Sequence, residues 1–561
     1  MKAEEKILSK KLFSFLAFVS IFLILGFFSI YAQENKKFNQ DLLVQDTRQL
    51  AQIFETAHPD PYIRRGGKIA FHRRLQDTRR AIPEDGMKVK EFYKLLLPFV
   101  AALGDGHTNI LLSQIQQPFA PGFPLGLGIV ENILYITTVY DKNIKQILGA
   151  KLISLERVSF PELVKRQKSL HGWDNEYHNL SNLCRNLRTR DGLESLLPEW
   201  KDVKNIRTRL KSYSGEEKDY IIALPEKILT DPITSSSKIQ LPSVEKIDFG
   251  YDFLDVKKKT ALLRIDGMFS FRENFEYFNM MGVEWVKQYA ARTYKKFHGA
   301  SGPAKLEETI AGIPSATETF RSLVIDMRRA ATKTLIIDLR KNSGGNSVMG
   351  YILNYFLYGN KATQSQDRGY SIKKYSDFYF NEYTEDNLAK INAGRTFALI
   401  KDDYNFKGEL NFFDKNLYVK KREKKNNEYL KMMPSFMEEV KAGKYDGFYL
   451  PEKVLAVCSP GTCSSGYDLA VLLYKLGAIL VGVPSSQAGN CFADIIMFKL
   501  NNTGIIGQVS FKYMLAFPND PEKGCVLRPH FELTYNKLAS YKFDPNAEIL
   551  LALEIAAKQN S

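Results

Sequence analysis

Two short apolar runs, far apart along the chain, are each followed by a polar loop and then by a helix pattern. The first run spans residues 334–338, and the second spans residues 453–458. Apolar runs of this length, bounded by turn residues, are typical of buried strands. A helix pattern follows at residues 347–358 in the first case and from Ser465 in the second. In an open α/β sheet such loops lie at the carboxyl ends of the strands, where ligands bind, so the pattern predicts a site formed by these two loops.

The remaining pattern divides the chain into regions of different character. Residues 33–117 carry apolar positions at helical spacing and predict an N-terminal helical domain. Residues 118–228 contain short strand-like runs and predict a small β-rich module. Residues 245–555 predict an α/β domain with insertions near residues 272–316 and 360–449. The fold class is therefore a multidomain α/β protein, which a length of 561 residues also favours.

The first 32 residues have the layout of a secretory signal peptide. Two lysines precede an apolar stretch from Leu12 to about Phe28, and the small residue Ala32 ends a segment that resembles a cleavage site. We therefore expect an exported protein, periplasmic or extracellular. If the stretch stays uncleaved it would anchor the chain in a membrane, because its length approaches that of a membrane span. No second spanning segment is predicted.

The two polar loops carry the groups that acyl transfer requires. Gly344 and Gly345 can turn their backbone amides outward, because a missing Cβ permits positive φ angles, and Asn342 is expected to cap this turn. Ser464 offers a hydroxyl just before a helix, where the amide of Ser465 would point at the same space. Amides aimed at the oxyanion of a tetrahedral intermediate stabilise it, and removing one such donor costs roughly 3–4 kcal/mol of barrier. The loops therefore predict a serine nucleophile with an oxyanion hole.

A serine hydroxyl needs a base to become an effective nucleophile. Of the seven histidines, His107 lies in a compact polar break between an apolar helix pattern at residues 92–103 and an apolar patch at residues 110–112. Asp105 and Thr108 are close enough in sequence to hold its ring. A structural role in the turn is the alternative. The other six histidines are interpreted as structural or surface residues.

Charge and cysteine content narrow the classes of function. The formal net charge is +15, but the basic residues are spread out and form no zinc-finger pattern or basic heptad region, so nucleic-acid binding is not predicted. No group of cysteines and histidines has the sequence spacing of metal ligands, and neither a metal nor a cofactor is expected. Five cysteines leave at least one thiol free unless it pairs with another molecule. In an exported protein Cys491 could pair with Cys525, or one of them with Cys463.

Together these motifs resemble the C-terminal-processing and tricorn-core family of serine peptidases, which includes tail-specific proteases. The resembling segments are residues 104–108, 335–345, 462–466 and 478–482. The likeness extends from about residue 50 to about residue 550. It implies a ClpP- or crotonase-like α/β catalytic domain that needs no cofactor. It also implies that Ser464 is the nucleophile and that the amides of Gly344 and Ser465 form the oxyanion hole.

The family activates its serine in two ways. One branch uses a lysine about two dozen residues after the serine, but residues 481–498 contain no lysine. The tricorn-like branch uses a histidine in a Gly-His-Thr-like segment, which implies that His107 is the general base. In that branch a late glutamate orients the histidine through a small polar residue, and Glu522 is the candidate here. Gly106 replaces the serine that precedes the histidine in tricorn, so the orienting relay stays open.

The β-rich module shows a resemblance of its own. Residues 123–129 resemble the loop by which PDZ domains hold the terminal carboxylate of a peptide, and a strand is expected at residues 134–139. PDZ domains bind a peptide by adding it to a sheet edge. A PDZ-like module with only a structural role is the alternative.

The sequence therefore predicts an exported serine endopeptidase, or a carboxy-end-trimming peptidase, that acts on proteins or peptides. One alternative is a catalytically inactive peptide- or polymer-binding protein on the same scaffold. Another is an acyl hydrolase that acts on non-peptide esters or envelope polymers. The pattern makes no prediction of the oligomeric state.

Overall fold

The computed structural model describes residues 36–111, 121–359, 369–383, 386–441 and 449–558. The predicted signal peptide at residues 1–32 lies outside these ranges, as do parts of the insertion predicted at residues 360–449. Within the described ranges, no helix combines the length and the apolar character needed to cross a membrane.

The N-terminal region is helical, and it shares a hydrophobic core with strands near the C-terminus. Strands β1, β2 and β3 span Lys37–Phe38, Met87–Lys88 and Asn109–Leu111, and helices α1, α2 and α3 span Gln40–Ala57, Gly67–Arg80 and Val89–Ala101. Asn39 caps α1 by accepting a hydrogen bond from the Leu42 amide. The buried faces of these helices pack against aromatic residues such as Phe498 and Phe511. The shared core therefore holds the two ends of the chain together.

The following region is rich in β-structure, and all of its strand pairings are antiparallel. Strands β4 to β9 span Gly126–Val130, Ile133–Thr138, Lys151–Leu155, Val158–Ser159, Asn205–Lys211 and Glu217–Ala223. Helices α4, α5 and α6 span Phe160–Gln167, Glu176–Leu187 and Arg190–Leu196. The sheet has the order β4-β5-β6-β8-β9, with β7 paired to β6. The Asn175 side chain donates to the carbonyls of Ser485 and Cys525, which fixes the start of α5 to the C-terminal half.

The next segment supplies the first strands of a central sheet. Strands β10, β11 and β12 span Phe249–Phe253, Thr260–Ile265 and Thr334–Asp338. Helices α7 to α11 span Arg272–Met280, Val286–His298, Leu306–Ala311, Ala316–Ala330 and Val348–Tyr358. The insertion near residues 272–316 is packed around a core of its own, which includes Phe275, Trp285 and Ile310.

A second insertion and the C-terminal segment complete the fold. In the insertion, strands β13 and β14 span Tyr370–Lys374 and Tyr404–Asn405, and helices α12 to α16 span Asp377–Glu382, Leu388–Asn392, Lys407–Phe413, Lys415–Lys431 and Pro434–Lys441. Strands β15 to β19 span Lys453–Cys458, Ile479–Gly482, Asn490–Lys499, Ile506–Leu515 and Phe531–Glu532. Helices α17 to α20 span Ser465–Lys475, Pro521–Cys525, Tyr535–Ser540 and Ala547–Lys558.

The central sheet has the order β10-β11-β12-β15-β16-β19, and every neighbouring pair except β10–β11 is parallel. Its middle strands are buried on both faces, as parallel strands usually are. Leu335 and Ile337 of β12 pack into one core, whereas Ile336 between them packs into another. This alternation follows from the period of two in a strand. The two apolar runs singled out in the sequence are therefore the adjacent middle strands of the sheet.

A second sheet joins the N-terminal region to the C-terminal half. It has the order β14-β13-β18-β17, and β3 pairs antiparallel with β18. Helix α1 contacts the turn of the long β17–β18 hairpin, where the Asp46 carboxylate accepts hydrogen bonds from the amides of Asn502 and Thr503. The segment that carries His107 is thereby attached to strand β18, where Gln508 lies 401 residues later in the chain.

A buried ion network secures the loop after β12. The Arg340 guanidinium donates to both carboxylate oxygens of Asp338 at 2.9 Å and to Glu548 of α20 at 3.0 Å. Burial alone would raise the pKa of Asp338, but the charge and hydrogen bonds of Arg340 outweigh it and lower that pKa. The Arg340 carbonyl also accepts a hydrogen bond from the Ser459 hydroxyl. Both loops at this edge of the sheet are thus fixed to one buried arginine.

Candidate active site

The two predicted loops are in direct contact. Strands β12 and β15 are paired in parallel with Asp338 opposite Val457, so both loops leave the same edge of the sheet. The Thr462 hydroxyl donates to the carbonyl of Leu339 at 2.8 Å, and the Cys463 amide donates to the carbonyl of Asn342 at 2.9 Å. The pairing of the strands therefore fixes the position of the second loop on the first.

The closest approach between the loops is at Gly344. A Cβ atom built on Gly344 would lie 2.6 Å from the Cβ of Ser464, 3.0 Å from its Oγ and 3.1 Å from the amide nitrogen of Ser465. Real Cβ atoms do not approach a neighbour as closely as the first of these distances. Gly344 also has a φ of +109°, which favours glycine. The absence of a side chain at position 344 is thus what leaves space for the Ser464 side chain.

Ser464 has an unusual backbone conformation immediately before helix α17. Its φ is +51° and its ψ is −130°, a region that is sparsely populated for residues other than glycine and that costs of order 1–3 kcal/mol. The Gln487 side chain stabilises this conformation, because its Oε1 accepts a hydrogen bond from the Ser464 amide at 2.6 Å. The Ser464 side chain is exposed, and it lies at the positive end of the α17 dipole.

The backbone amides around Ser464 are not equally available to a ligand. The Gly344 amide donates to the Asn342 Oδ1 at 3.0 Å, which is the turn cap expected from the sequence. The same bond occupies an amide that the sequence interpretation assigned to the oxyanion hole. In the part of the chain that the structure describes, the amides of Gly345 and Ser465 donate no hydrogen bond to another residue. Two of the three predicted donors are therefore free.

Gly345 meets a second steric constraint. A Cβ atom on Gly345 would lie 2.2 Å from the carbonyl oxygen of Met268, which follows β11. The Asn346 amide donates to that same oxygen at 2.6 Å, and the Gly345 carbonyl accepts from the Ser465 hydroxyl at 2.9 Å. The Ser465 side chain is therefore engaged in holding the first loop, while its amide nitrogen lies 3.1 Å from the Cβ position of Gly344.

His107 is held at the junction of the N-terminal region and strand β18. The Gln508 side chain donates to the His107 carbonyl at 2.7 Å, and the Ser510 amide donates to the Thr108 hydroxyl at 3.0 Å. Asp105 accepts from the His107 amide at 2.8 Å and also from Thr108. Asp105 and Thr108 were expected to hold the His107 ring, but their hydrogen bonds organise the backbone of the turn instead. Asp105 holds the backbone of His107, however, and its carboxylate is 3.9 Å from the ring.

A second carboxylate beside His107 comes from a segment that the sequence did not single out. Asp174, just before α5, has its Oδ2 4.0 Å from the Nδ1 of His107, and its Oδ1 accepts from the Gly106 amide at 2.9 Å. Burial alone would raise the pKa of Asp174, but its interactions with the nearby His178 and His107 rings outweigh burial and lower that pKa. Asp174 is therefore an ionised acid directed at the base candidate.

The structure also gives a steric reason for glycine at position 106. A Cβ atom on Gly106 would lie 2.3 Å from the Cε1 of His178 and 2.8 Å from the Oδ1 of Asp174. A serine side chain at this position would collide with both groups. The space that the tricorn-like relay gives to a serine is thus filled here by Asp174 and His178.

Glu522 is not brought to the ring of His107. It lies exposed in the first turn of the short helix α18. Among the described residues, the carboxylates within 4.0 Å of a His107 ring nitrogen are those of Asp105 and Asp174. Position along the chain made Glu522 plausible, but the packing of α5 against the C-terminal half brings Asp174, and not Glu522, close to the His107 ring.

His107 and Ser464 lie in one region without a hydrogen bond between them. No hydrogen bond within the described ranges joins the Ser464 hydroxyl to the His107 ring. Asp468 lies in the first turn of α17, and part of its side chain is open to solvent. Desolvation raises the pKa of Asp468 to about 6, whereas the charges of Lys512 and His107 lower it. Burial and the charge of Asp174 raise the pKa of Cys463, next to Ser464. His107 and Asp174 therefore act electrostatically on residues that flank Ser464.

Sequence reasoning missed two residues of this site, and only one of them carried a usable signal. Gln487 lies 23 residues after Ser464, which is the spacing at which the other family branch has its lysine. Asp174 precedes Asn175, which caps helix α5, so the pair has the appearance of ordinary helix-capping residues. Only the packing of α5 distinguishes Asp174 from such a residue.

All five cysteines are free thiols in the structure. Cys184, Cys458 and Cys491 are buried, whereas Cys525 is exposed. The pairing of Cys491, Cys525 and Cys463 considered from the sequence is therefore not formed here.

Comparison with known proteins places this site in a family. Residues 303–526 match the model of peptidase family S41. This segment is a family S41 peptidase domain. The match contains Gly344, Ser464 and Gln487, and it confirms both the family resemblance drawn from the motifs and the serine-peptidase class. No curated protein matches the sequence of the chain.

Solved structures extend the likeness in fold to almost the whole chain. Mature CPAF complexed with lactacystin superimposes with a TM-score of 0.51 at 13% identity, covering 93% of this chain and 99% of that one. A second structure of mature CPAF gives 0.50 at 12% identity, covering 91% and 96%. The photosystem II D1 C-terminal processing protease gives 0.35 at 12% identity, covering 89% and 94%. At these identities the CPAF comparisons show a similar fold, which includes the regions outside the S41 domain.

Replacing Gly344 with alanine should destabilise the protein more than a comparable change elsewhere. Gly477 is the matched control, because its φ of +94° is also positive but no atom lies within 4 Å of its Cβ position. Alanine at either position incurs backbone strain of about 1–3 kcal/mol, and only Gly344→Ala adds the collision with Ser464. We expect a lower thermal unfolding midpoint for Gly344→Ala than for Gly477→Ala. Equal midpoints would show that the contact does not restrict position 344.

Proposed function

We propose that the protein is an exported serine peptidase that cleaves peptide bonds in proteins or peptides through an acyl-enzyme on Ser464. The observation that carries the proposal is the packing of Ser464 against Gly344, with the Ser465 amide 3.1 Å from the Cβ position of Gly344. A nucleophile and an oxyanion donor thereby share a small space at the edge of the sheet. The S41 match over this segment supports the same chemistry.

In the proposed mechanism His107 accepts the proton of the Ser464 hydroxyl as Ser464 attacks the carbonyl carbon. The buried Nδ1 of His107 is directed at Asp105 and Asp174, which leaves Nε2 as the proton acceptor. His107 then donates the proton to the leaving amine, and the acyl-enzyme forms. Water attacks the acyl-enzyme in the second half of the reaction, with His107 again acting first as base and then as acid.

The oxyanion in this mechanism is stabilised first by the amides of Ser465 and Gly345. The Gly344 amide joins them only if it exchanges its hydrogen bond to Asn342 for one to the substrate. The positive end of the α17 dipole favours the same negative charge. Because Ser464 and His107 are not hydrogen-bonded in the resting structure, the reactive geometry requires a local adjustment when substrate binds. Catalytic hydrogen bonds are often long before substrate is present.

Asp174 is proposed as the acid that orients His107, in place of Glu522. Its Oδ2 lies on the Nδ1 side of the ring, and its other oxygen is fixed by the Gly106 amide. A carboxylate on this side stabilises the imidazolium that forms during attack. A direct hydrogen bond requires the 4.0 Å separation to shorten.

The β-rich region is proposed to bind the peptide chain as a PDZ-like module. Strand β4 is at one edge of its sheet and directly follows the loop at residues 123–125. An extended peptide could pair with this edge through backbone hydrogen bonds. Strand β9 at the other edge has no such loop before it, since it follows β8 in a hairpin.

Two observations favour an inactive binding protein as the second candidate. The Gly344 amide is occupied by Asn342, and the Ser464 hydroxyl has no hydrogen bond to His107 within the described ranges. Both features fit a resting enzyme, but they also fit a scaffold that has lost its activity. A non-peptide acyl hydrolase would use the same residues, and a comparison of ester and peptide substrates separates it from a peptidase.

Replacing Ser464 with alanine should abolish both labelling by a fluorophosphonate probe and peptide cleavage. The neighbouring variant Ser465→Ala is the control, because the mechanism uses the amide of Ser465 and not its hydroxyl. Loss of the hydrogen bond from that hydroxyl to Gly345 should cost about 1 kcal/mol, so labelling should persist at a rate lowered by up to roughly tenfold. Labelling of Ser464→Ala would refute the assignment. Absence of labelling in the wild type would select the binding protein.

Replacing His107 with alanine should lower kcat by a factor of about 10² or more, as loss of a general base does. Asp174→Asn should lower kcat by roughly tenfold or more while leaving KM almost unchanged, because it weakens stabilisation of the imidazolium and not substrate binding. Glu522→Gln is the comparison and should behave like the wild type. Steady-state kinetics on a peptide substrate measures all three. A larger loss in Glu522→Gln than in Asp174→Asn would return the orienting role to Glu522.

Peptide binding to the β-rich region can be followed by amide hydrogen exchange. On addition of a peptide to the inactive Ser464→Ala variant, we expect slower exchange in β4, because its free edge amides become hydrogen-bonded. Strand β9, at the opposite edge of the same sheet, should exchange as before and provides an internal control. Unchanged exchange in β4 under conditions where the peptide is bound would reduce the region to a structural role.

A further inference from the structure

Three side chains with different donor atoms converge beside the site. His107 follows α3, Asp174 precedes α5, and Cys491 is the second residue of β17. One donor atom from each lies within 4.8 Å of the other two. Asp174 and Cys491 are each 2% exposed, whereas 29% of the His107 side chain is exposed. A nitrogen, an oxygen and a sulfur from three distant segments thus surround one point beside the candidate active site.

Two of these donor atoms have no hydrogen-bond partner. The Nδ1 of His107 and the Oδ2 of Asp174 are both buried, and among the described residues neither makes a hydrogen bond. They are 4.0 Å apart, which is too long for a hydrogen bond between them. Leaving a charged oxygen buried and unpaired is costly. The geometry therefore favours a bridging partner between the two atoms, either a water molecule or an ion.

The set of donors distinguishes a metal ion from a water molecule. Water would satisfy the nitrogen and the oxygen, but it gains little from a thiol, which is a weak hydrogen-bonding group. A borderline-soft ion such as Zn²⁺ binds all three types of atom and is commonly held by three protein ligands with a fourth position left open. In a tetrahedral zinc site, donors at bond lengths of 2.0–2.3 Å are separated by about 3.5 Å. The atoms here would need to close by roughly 1 Å to reach that separation.

The charges that face the cluster also favour a cation. The carboxylate of Asp105 has an oxygen 3.9 Å from the Nδ1 of His107, in addition to that of Asp174. Two histidines partner these acids, since His58 contacts Asp105 at 3.2 Å and His178 has its Nδ1 3.8 Å from Asp174. A divalent ion at the cluster would be attracted by both carboxylates.

We propose that His107, Asp174 and Cys491 form a binding site for one zinc-like divalent ion, and that the bound ion reversibly inhibits the peptidase. Binding replaces the thiol proton of Cys491 with the metal and releases that proton to solvent. Coordination through Nδ1 withdraws electron density from the ring, so His107 becomes a poor proton acceptor. The inhibitory half of this inference rests on the proposed role of His107, whereas metal binding does not.

Titration with Co²⁺ tests the site without any assay of activity, because a cobalt–thiolate bond produces a charge-transfer absorption. The full-length protein should give this band with one equivalent of metal and lose it when Zn²⁺ is added. Cys491→Ser should lack the band, and equilibrium dialysis of Cys491→Ser and Asp174→Asn should show zinc affinity reduced by about tenfold or more. Cys525→Ser, which removes an exposed thiol, and Ser464→Ala should bind like the wild type.

Absence of the thiolate band in the wild-type protein would overturn the metal site and leave a water molecule as the bridging partner. A band that persists in Cys491→Ser but disappears in Cys525→Ser would likewise overturn it. The wild-type result decides the question even if a variant fails to fold. The titration measures metal binding without any assay of activity, and it includes Ser464→Ala. A failure of the metal site can therefore be distinguished from a failure of the proposed nucleophile, which shows only in labelling and cleavage.

Inhibition is tested by comparing cleavage rates with and without Zn²⁺ for each protein separately. The wild-type rate should fall by at least tenfold at a zinc concentration that fills the site, and a chelator should restore it. The ratio of the cleavage rate without Zn²⁺ to the rate with Zn²⁺ should be close to one for Cys491→Ser. For Cys525→Ser this ratio should equal that of the wild type. Zinc binding without loss of activity would overturn the inhibitory half of the inference.

Discussion

The parallel pairing of β12 with β15 is the constraint on which the rest of the site depends. It brings two loops to one edge of the sheet and leaves so little space between them that position 344 can carry no side chain. The serine that benefits from this space is itself held in a strained backbone conformation, stabilised by Gln487 from a third loop. Strain of this kind persists only where the surroundings over-determine the structure. The buried Arg340 network, which ties both loops to the last helix, supplies part of that rigidity.

The base candidate depends on a different kind of constraint, which is packing between the two ends of the chain. His107 belongs to a short segment that has no sheet of its own, and its position is set by β3 pairing with β18 and by a core shared with Phe498 and Phe511. A helical region that shares its core in this way cannot move freely as a separate unit. In the proposed mechanism, the adjustment that brings His107 and Ser464 together is therefore more easily local than a motion of whole regions.

The glycine at position 106 affects which groups can lie beside His107. With glycine at position 106, Asp174 and His178 can occupy the space where a serine side chain would otherwise lie. The carboxylate that results is more deeply buried than Glu522, and it faces both an imidazole and a thiol. The charge state of the buried Asp174 carboxylate depends on what lies between it and His107, whether a proton, a water molecule or a metal ion. Orientation of the base and access of a cation are thus two properties of the same few atoms.

The sequence by itself determined the local features of this protein. Apolar runs predicted β12 and β15, turn residues predicted the loops, and motif resemblance led to the S41 family. It also singled out Ser464 and His107 as candidates, because their chemical types and neighbours are visible in a few consecutive residues. The signal for Gln487 was present in its spacing from Ser464, although it carries an amide where the other family branch has a lysine.

Only the tertiary structure decided which distant groups meet. It placed Asp174 beside His107 and left Glu522 in solvent, engaged the Gly344 amide with Asn342, and brought Cys491 to the same point. Local pattern determines whether a segment forms a helix or a strand, because it depends on neighbours one to four residues away. The distance between atoms hundreds of residues apart depends on how those elements pack, and that packing brings together the proposed orienting acid and the candidate metal site.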